Sequence, residues 1–214
     1  MYAWLLLVSL ATAAESLEDG TLIFLENCSS IVERSTHGSV GHVAIVINEG
    51  TEPWLYEAIP GKVRHLKADE YYAELSRLNA RKAEDKQIRA FALRPEKPFT
   101  QAERQAMHHY LEEQVGRRYS VKGYVRGEES SGIHCAELAS HTLNESGRYQ
   151  WEHCHAIHPS KLQVLIDPTY QDPVPIEIPT FNSEETWCER VQRRWYSIRT
   201  WCVWSCGEAW SLCW

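Results

Sequence analysis

Apolar residues in the first half of the chain fall into short runs that turn residues separate, a pattern typical of β-strands. The segment DGTLIFLEN has a turn signal followed by an apolar run, which predicts a buried strand over 19–27. The β-branched and apolar sequence HVAIVIN (42–48) favours a central strand. After the turn residues EGTEP, the segment 54–59 is expected to pair back as a hairpin. The sequences GKVRHL and KQIRAFALR predict two further strands.

Two segments carry apolar residues at helical spacing instead. The segment KADEYYAELSRLNARKAED (67–85) places Tyr71, Leu75 and Leu78 on one stripe. The segment TQAERQAMHHYLEEQVG (100–116) begins with a threonine and has a glutamate three residues later, which predicts a capping box at the start of the helix. The glycine at its end is a helix stop signal. A loop is expected over 117–133.

Composition and charge limit the classes of protein to consider. The 214 residues are enough for one domain with a core, or for one domain and a tail. Hydrophobic residues at 43% and charged residues at 24% are usual for a soluble globular protein. The formal net charge of -7 argues against nucleic acid as the main partner, because phosphate binding favours a basic surface.

The first residues, MYAWLLLVSLATAAES, are interpreted as a secretory signal over 1–14. Residues 2–10 are almost wholly apolar, and Ala-Thr-Ala at 11–13 is a suitable cleavage site, although no Lys or Arg precedes the apolar run. The alternatives are an apolar N-terminal extension or an anchor. With the signal, the mature protein is expected to be exported to the periplasm or secreted. Seven cysteines suit an oxidising compartment, and their odd number leaves one unpaired if the others form disulfides.

The C-terminal part of the chain differs in composition from the rest. The proline-rich segment 169–184 is interpreted as an extended linker. The following tail, 185–214, holds six of the nine tryptophans and four of the seven cysteines. Its Trp and Arg residues suit peripheral contact with a membrane interface, a disulfide-bearing cap or a surface for a partner. Cys202 and Cys206 are four residues apart, a spacing that also permits metal ligation.

Cys135 lies where a third helix is expected to begin. Positions 135, 138, 139, 142 and 143 form one stripe at helical spacing, and a glycine stands at 147, where the helix would end. The unpaired N–H groups and the dipole at a helix N-terminus favour a thiolate and can hold an oxyanion. A buried free thiol is the alternative, since cysteine is often buried. A nucleophilic role needs a base, because an unperturbed thiol is mostly protonated at neutral pH.

His42 and Glu57 are polar residues within apolar predicted strands and are therefore candidates for a buried pair. A carboxylate that accepts from the imidazole would fix its tautomer and orient it as a base. The hairpin register decides whether they meet. If Asn48 pairs with Trp54, the two side chains point to opposite faces; if Asn48 pairs with Pro53, they become diagonal neighbours. A satisfied core histidine is the alternative for His42.

The order of several short motifs resembles the YiiX/YaeF-like cysteine hydrolases. The motifs are GHVAIVI, then YEA followed by GKVRHL, then VGRRYS, HCAEL and HPSKL, and they cover about 19–168. These proteins are circularly permuted papain-fold enzymes related to NlpC-type peptidases and to lecithin retinol acyltransferase. The chain has CAEL where CSEL is common in the family, and YS where YD is common, so any role of that aspartate is absent.

The resemblance implies a fold and a set of roles. The expected fold is an α+β, permuted papain-like (NlpC-like) domain over 15–168, with a small antiparallel sheet packed against helices and the nucleophile at a helix N-terminus. Cys135 matches the nucleophile, His42 the general base and Glu57 the residue that orients it. Tyr119 matches an aromatic position that lines the substrate site. No metal or organic cofactor is required by this chemistry.

By the same analogy, the substrates are peptides or lipids with an amide or ester bond, such as cell-wall stem peptides or lipid acyl groups. An acyltransferase with the same thioacyl chemistry is an alternative, since it differs only in the acceptor. A non-catalytic binding module that attaches through the Trp-rich tail is another. The segment HCHAIH (153–158) has a metal-like composition, but its spacing matches no closed tetrahedral site, and a polar loop with Cys154 in a disulfide is the alternative.

Overall fold

The strands in the described part of the chain form one antiparallel sheet. The computed structural model describes residues 17–28 and 38–181. Within these ranges the spatial order of the strands is β4-β3-β2-β1-β5-β6. Their bounds are β1 Leu22–Glu26, β2 Val40–Glu49, β3 Glu52–Ala58, β4 Val63–Lys67, β5 Arg89–Leu93 and β6 Val174–Ile176. The strands predicted from the apolar runs are therefore present, each with slightly different ends.

Helices connect the strands or follow them along the chain. Their bounds are α1 Ala68–Asn79, α2 Gln101–Gln114, α3 Lys122–Arg126, α4 Cys135–Glu145 and α5 Pro159–Ile166. The predicted capping box of α2 is confirmed: the Thr100 hydroxyl accepts from the Glu103 N–H, and the Glu103 carboxylate accepts from the Thr100 N–H. The short helix α3 lies within the segment that was expected to be a loop.

The sheet separates two hydrophobic clusters. Val43, Ile45 and Ile47 of β2 belong to one cluster, which contains the buried side chains of α2, α4 and α5. Ala44 and Val46 belong to the other cluster, to which α1 contributes its buried residues. Strand β2 is thus apolar on both faces, which explains its unbroken apolar sequence. Together, the sheet and helices make an α+β fold, as expected.

The β2–β3 hairpin has the register on which the meeting of His42 and Glu57 depends. Asn48 pairs with Pro53, and Glu49 pairs with Glu52 across a turn at Gly50 and Thr51. Gly50 has a φ of 66°, a left-handed conformation that glycine adopts without a steric cost. This pairing puts His42 and Glu57 on the same side of the hairpin, two positions apart along the strands.

The segment expected to be a linker (169–184) begins as part of the sheet. Strand β6 pairs with β5 and places Pro175 opposite Phe91. Proline is compatible with this position because β6 is the edge strand and its outer side needs no N–H donor. Tyr170 is buried, and its hydroxyl donates to the Gly20 carbonyl oxygen at 2.9 Å. The proposed signal over 1–14 and the Trp-rich tail over 185–214 lie outside the described residues.

No helix in the described ranges is both long and apolar enough to span a membrane.

Candidate active site

Cys135 is the first residue of α4, as the apolar stripe predicted. It is a free thiol with 5% of its surface exposed. Its helix packs on the sheet through Ala136, Leu138, Ala139 and Leu143, which share a cluster with Val43 and Ile45 of β2. Packing of α4 against β2 therefore holds the thiol close to the beginning of that strand, where His42 lies.

His134 caps the helix that carries the thiol. Its Nδ1 accepts from the Glu137 N–H at 3.3 Å, and the Glu137 carboxylate faces the His134 N–H at 3.3 Å, so the two residues form a capping box. Its Nε2 lies 3.0 Å from the carbonyl oxygen of His155 and must therefore donate to it. Burial lowers the pKa of His134, but its contacts with Cys135 and Glu137 raise it overall. The cap needs Nδ1 as an acceptor, so protonation of that nitrogen would break it.

The ring of His42 meets the carboxylate of Glu57. The Nε2 of His42 lies 2.7 Å from the Oε2 of Glu57. The β1–β2 ladder is irregular beside this contact: Leu25 pairs with His42 but Glu26 pairs with Val40, so Gly41 is an extra residue. Such a bulge changes the direction of a neighbouring side chain. The contact leaves Nδ1 as the ring nitrogen that is available to the Cys135 thiol.

The thiol and the imidazole interact directly, and each changes the proton affinity of the other. Burial favours the neutral thiol, but the charge of His42 and the close contacts with the His134 and His42 rings outweigh it and lower the pKa of Cys135 to about 5. Burial also disfavours the imidazolium, but contacts with the Cys135 thiolate and Glu57 raise the pKa of His42 to about 10. Between these values, the favoured state is a thiolate beside an imidazolium.

Glu57 is a buried carboxylate with more than one cationic partner. It is 2% exposed, and its Oε1 accepts from Arg64 Nε at 2.8 Å while its Oε2 contacts His42. Arg64 lies directly opposite Glu57 in the β3–β4 ladder and also binds Glu74 of α1 at 2.6 Å. Burial would raise the pKa of Glu57, but His42 and Arg64 lower it, so the carboxylate stays charged and its orientation is fixed.

Sequence reasoning did not identify Arg64 or His134 as part of this arrangement. The cross-strand position of Arg64 opposite Glu57 depends on the register of the β3–β4 pair, which the sequence did not predict. The signal for His134 was the spacing H-x-x-E at the helix start, which resembles a capping box with histidine in place of serine or threonine.

The loop before Cys135 is fixed by a guanidinium group. Arg117 donates to the carbonyl oxygens of Ser130, Ser131 and Gly132 at 3.3, 3.1 and 3.2 Å. A Cβ on Gly132 would lie 2.3 Å from the Cβ of Ser120, so only glycine allows this close approach. The Ser-Ser-Gly sequence is thus held against the neighbouring segment, which sets the position of the helix start.

Tyr119, the predicted substrate-lining residue, lies beside this loop. It forms an isolated parallel bridge with Ile133, two residues before the thiol. It shares the hydrophobic cluster of Cys135 and is 7% exposed. Its aromatic ring therefore packs in the wall beneath the helix start, and only a small part of it is open to a ligand.

The geometry is suited to nucleophilic attack on a carbonyl carbon. The thiolate stands at a helix N-terminus, where the first N–H groups have no intrahelical acceptor. The Glu137 N–H is occupied by His134, and the Leu138 N–H by the His134 carbonyl oxygen. The N–H groups of Cys135 and Ala136 are therefore the ones in position to bind an oxyanion.

Potential metal ligands gather elsewhere than in the HCHAIH segment. The rings of His153 and His155 are 5.7 Å apart, and Cys154 is a buried free thiol, so it is not in a disulfide. Among the described residues, the compact group of His, Cys, Asp or Glu ligand atoms is Glu49, His65 and Glu112. Glu49 is the last residue of β2, and His42 is near its beginning.

Comparison with known proteins supports the fold. No protein-family description and no curated protein matches the sequence of this chain. A solved structure, that of the metalloprotein YiiX from Escherichia coli O157:H7, matches with a TM-score of 0.51 at 12% sequence identity. The match covers 78% of this chain and 99% of YiiX. At this identity the likeness concerns the fold alone, and the chain has a YiiX-like α+β fold.

Proposed function

We propose that this chain is a cysteine hydrolase that cleaves amide or ester bonds. Cys135 is the nucleophile, His42 the general base and Glu57 the residue that orients His42. The observation that carries the proposal is the continuous set of contacts from a thiol at a helix N-terminus, through an imidazole, to a buried carboxylate. The order His, Glu, Cys along the chain, the motif resemblance and the YiiX-like fold are in keeping with a permuted papain-like enzyme.

The first chemical step forms a thioester. The thiolate of Cys135 attacks the carbonyl carbon and makes a C–S bond, and the carbonyl oxygen becomes an oxyanion that the N–H groups at the start of α4 bind. When the tetrahedral intermediate collapses, the bond to the leaving amine or alcohol breaks. The imidazolium of His42 gives its proton to that leaving group.

The second step releases the acyl group. Neutral His42 takes a proton from water as the water oxygen attacks the thioester carbon. The C–S bond then breaks, the acid leaves, and the proton kept by His42 restores the imidazolium beside the Cys135 thiolate. An alcohol or amine acceptor in place of water would make the same site an acyltransferase. Glu57 holds the His42 ring through Nε2 in both steps, because a rotated ring would lose contact with the thiol.

The substrate and location proposed here are those that the family resemblance and the sequence suggest. The substrates that the resemblance suggests are cell-wall peptides or lipid-linked acyl groups, and the apolar N-terminus suggests export. Peripheral membrane contact through the Trp-rich tail would suit a lipid substrate. The alternative is a non-catalytic binding module. The buried charged partners of His42 favour an enzyme, because burying charged groups costs free energy and strongly shifted pKa values are typical of active sites.

A panel of activated acyl esters tests the proposal. Incubation with p-nitrophenyl esters, followed by intact mass spectrometry, is expected to show one acyl group on Cys135 that disappears as free acid forms. Cys154→Ala and Cys28→Ala are the matched controls, since each removes a cysteine elsewhere in the chain and should leave the adduct unchanged. Added amine or alcohol acceptors separate transfer from hydrolysis. No adduct at Cys135, or equal labelling of Cys154, would contradict the proposal.

A further inference from the structure

A second group of ionisable side chains meets on the sheet, at the end of β2 opposite to His42. Glu49 ends β2, His65 lies in β4, and His108 and Glu112 are one turn apart on α2. Seven residues of extended strand separate Glu49 from His42, a distance of roughly 23 Å. The proposed catalytic chemistry does not use any of these residues.

The side chains converge because of strand alternation. Tyr56 pairs with His65 and with Ile45, so these residues lie on the face that α2 covers. The next pair along the same two strands, Glu57 and Arg64, points to the opposite face and serves His42. One hairpin therefore supplies different ionisable groups to its two faces.

The distances between the donor atoms suit a small divalent cation. The His65 Nδ1 and the Glu112 Oε1 are 3.4 Å apart, and the His108 Nε2 lies 3.6 Å from Glu49 Oε1 and 3.7 Å from Glu112 Oε1. Donor atoms of Glu49, His65 and Glu112 all lie within 4.8 Å of one another. Metal–ligand bonds of about 2.1 Å in a tetrahedral zinc site place neighbouring donors about 3.4 Å apart.

The carboxylates of Glu49 and Glu112 have few hydrogen-bond donors around them. The Tyr56 hydroxyl donates to Glu112 at 2.6 Å and lies 3.3 Å from Glu49, so the two carboxylates share one donor. The Nδ1 of His65 is shielded from solvent and makes no hydrogen bond with any described residue. The two carboxylates share one hydroxyl donor and face a ring nitrogen that contacts Glu112 at 3.4 Å without a hydrogen bond, an arrangement that a cation would complete.

The rings around His65 fix the direction of this nitrogen. The His65 ring packs against Trp54 and Tyr56, with ring centroids 5.1 Å apart in both contacts. The Tyr56 hydroxyl donates to the Oε1 of Glu112 at 2.6 Å. A donor held on a ligand carboxylate in this way orients that ligand.

We propose that Glu49, His65 and Glu112 form a divalent metal site. His108, whose Nε2 now lies 3.1 Å from the Tyr56 hydroxyl, would turn from that contact to become the fourth ligand. Two imidazoles and two carboxylates favour zinc over calcium or magnesium, which prefer oxygen ligands alone. The bound ion would join α2 to strands β2 and β4. Its role is structural and separate from the reaction at Cys135.

Zinc stoichiometry of the full-length chain tests the site. Protein freed of metal by chelation is titrated with Zn²⁺, and bound zinc is counted by native mass spectrometry. His65→Ala and Glu112→Gln are each expected to bind one zinc ion fewer than the unaltered chain, or to bind that ion at least about 100-fold more weakly. Zinc should also raise the melting temperature of the unaltered chain more than that of His65→Ala.

Control variants distinguish zinc bound at this site from zinc bound by other residues. His109 and Glu113 form an exposed pair at 3.4 Å, each next in sequence to a proposed ligand, so His109→Ala and Glu113→Gln should keep the full zinc count. Cys135→Ser should keep it too, whether or not the proposed hydrolase activity exists. The proposal would be overturned if His65→Ala bound as many zinc ions as the unaltered chain, or if His109→Ala lost as many as His65→Ala. The group would then be a set of surface ion pairs.

Discussion

At the scale of single residues, the account depends on a buried carboxylate that stays charged. Glu57 could be predicted to meet His42, because both are polar residues in apolar strands and a single hairpin register brings them together. The contact between Arg64 and Glu57 was harder to predict from the sequence. An arginine in a short strand beside a turn is usual on a surface, and only the three-dimensional position of α1 shows that it lies between two carboxylates.

Replacement of Arg64 tests the importance of this second partner. Arg64→Met should lower the free energy of unfolding by roughly 1–3 kcal/mol, since Glu57 loses charge-assisted hydrogen bonds inside the protein. The Cys135 thiol should titrate at a higher pH than in the unaltered chain, because Glu57 then holds His42 less firmly. Urea unfolding measures the first effect, and alkylation of Cys135 at several pH values measures the second.

Arg89→Met is the matched control for this change. Arg89 pairs with Glu26 at 2.6 Å, but its side chain is 66% exposed, so its loss should cost less than about 1 kcal/mol and leave Cys135 unaffected. If Arg64→Met and Arg89→Met have the same effect on stability and on the thiol, the proposed role of Arg64 is wrong.

At the scale of elements, the start of α4 combines a cap with a thiol. The sequence predicted this helix and its first residue, because the apolar stripe and the terminal glycine agree. The sequence did not predict that His134, the residue before the thiol, would cap the helix by accepting from the Glu137 N–H through its ring. Adjacent side chains point apart within a helix, but His134 is the N-cap and has an extended backbone, with φ of −105° and ψ of 171°.

Variants of His134 distinguish capping from base catalysis. His134→Ala should lower the free energy of unfolding by about 1 kcal/mol, and His134→Asn should restore most of the loss, since asparagine is a favourable N-cap residue. In both variants the Cys135 thiol should still titrate well below its ordinary value, because His42 remains. Thermal or urea unfolding and pH-dependent alkylation give the two results.

Thr100→Ala is the control for the loss of a cap. It removes the capping box of α2 and should cost a similar free energy without any effect on Cys135. A return of the thiol to an ordinary pKa in His134→Ala would assign the base to His134 and contradict the role given to His42.

At the scale of the whole molecule, the sequence predicted the strands better than their arrangement. Apolar runs and turn residues identify β1 to β5, because local patterning controls where a strand begins and ends. The sheet order, and the division of helices between its faces, depend on contacts between distant segments that no local pattern contains. Strand β6 was missed for a related reason: its prolines favour a linker, and only an edge position makes them compatible with a sheet.

The same sheet also explains how one small domain could hold two separate sites. Strand β2 carries His42 near one end and Glu49 at the other, and the β3–β4 hairpin sends Glu57 and His65 to opposite faces. A change at the proposed metal site should therefore leave the Cys135 thiol unchanged. Sites more than about 10 Å apart without shared partners usually contribute independently to stability.

The pH dependence of Cys135 alkylation tests the central claim most directly. Iodoacetamide labels the full-length chain and the His42→Ala variant over a range of pH, and peptide mass spectrometry measures each cysteine separately. Cys154 is an internal reference, since burial raises the pKa of its thiol. The account predicts that Cys135 reacts with an apparent pKa near 5, and that His42→Ala moves this value up towards the ordinary 8.5 or so. A Cys135 that titrates near 8.5 with or without His42 would contradict the account.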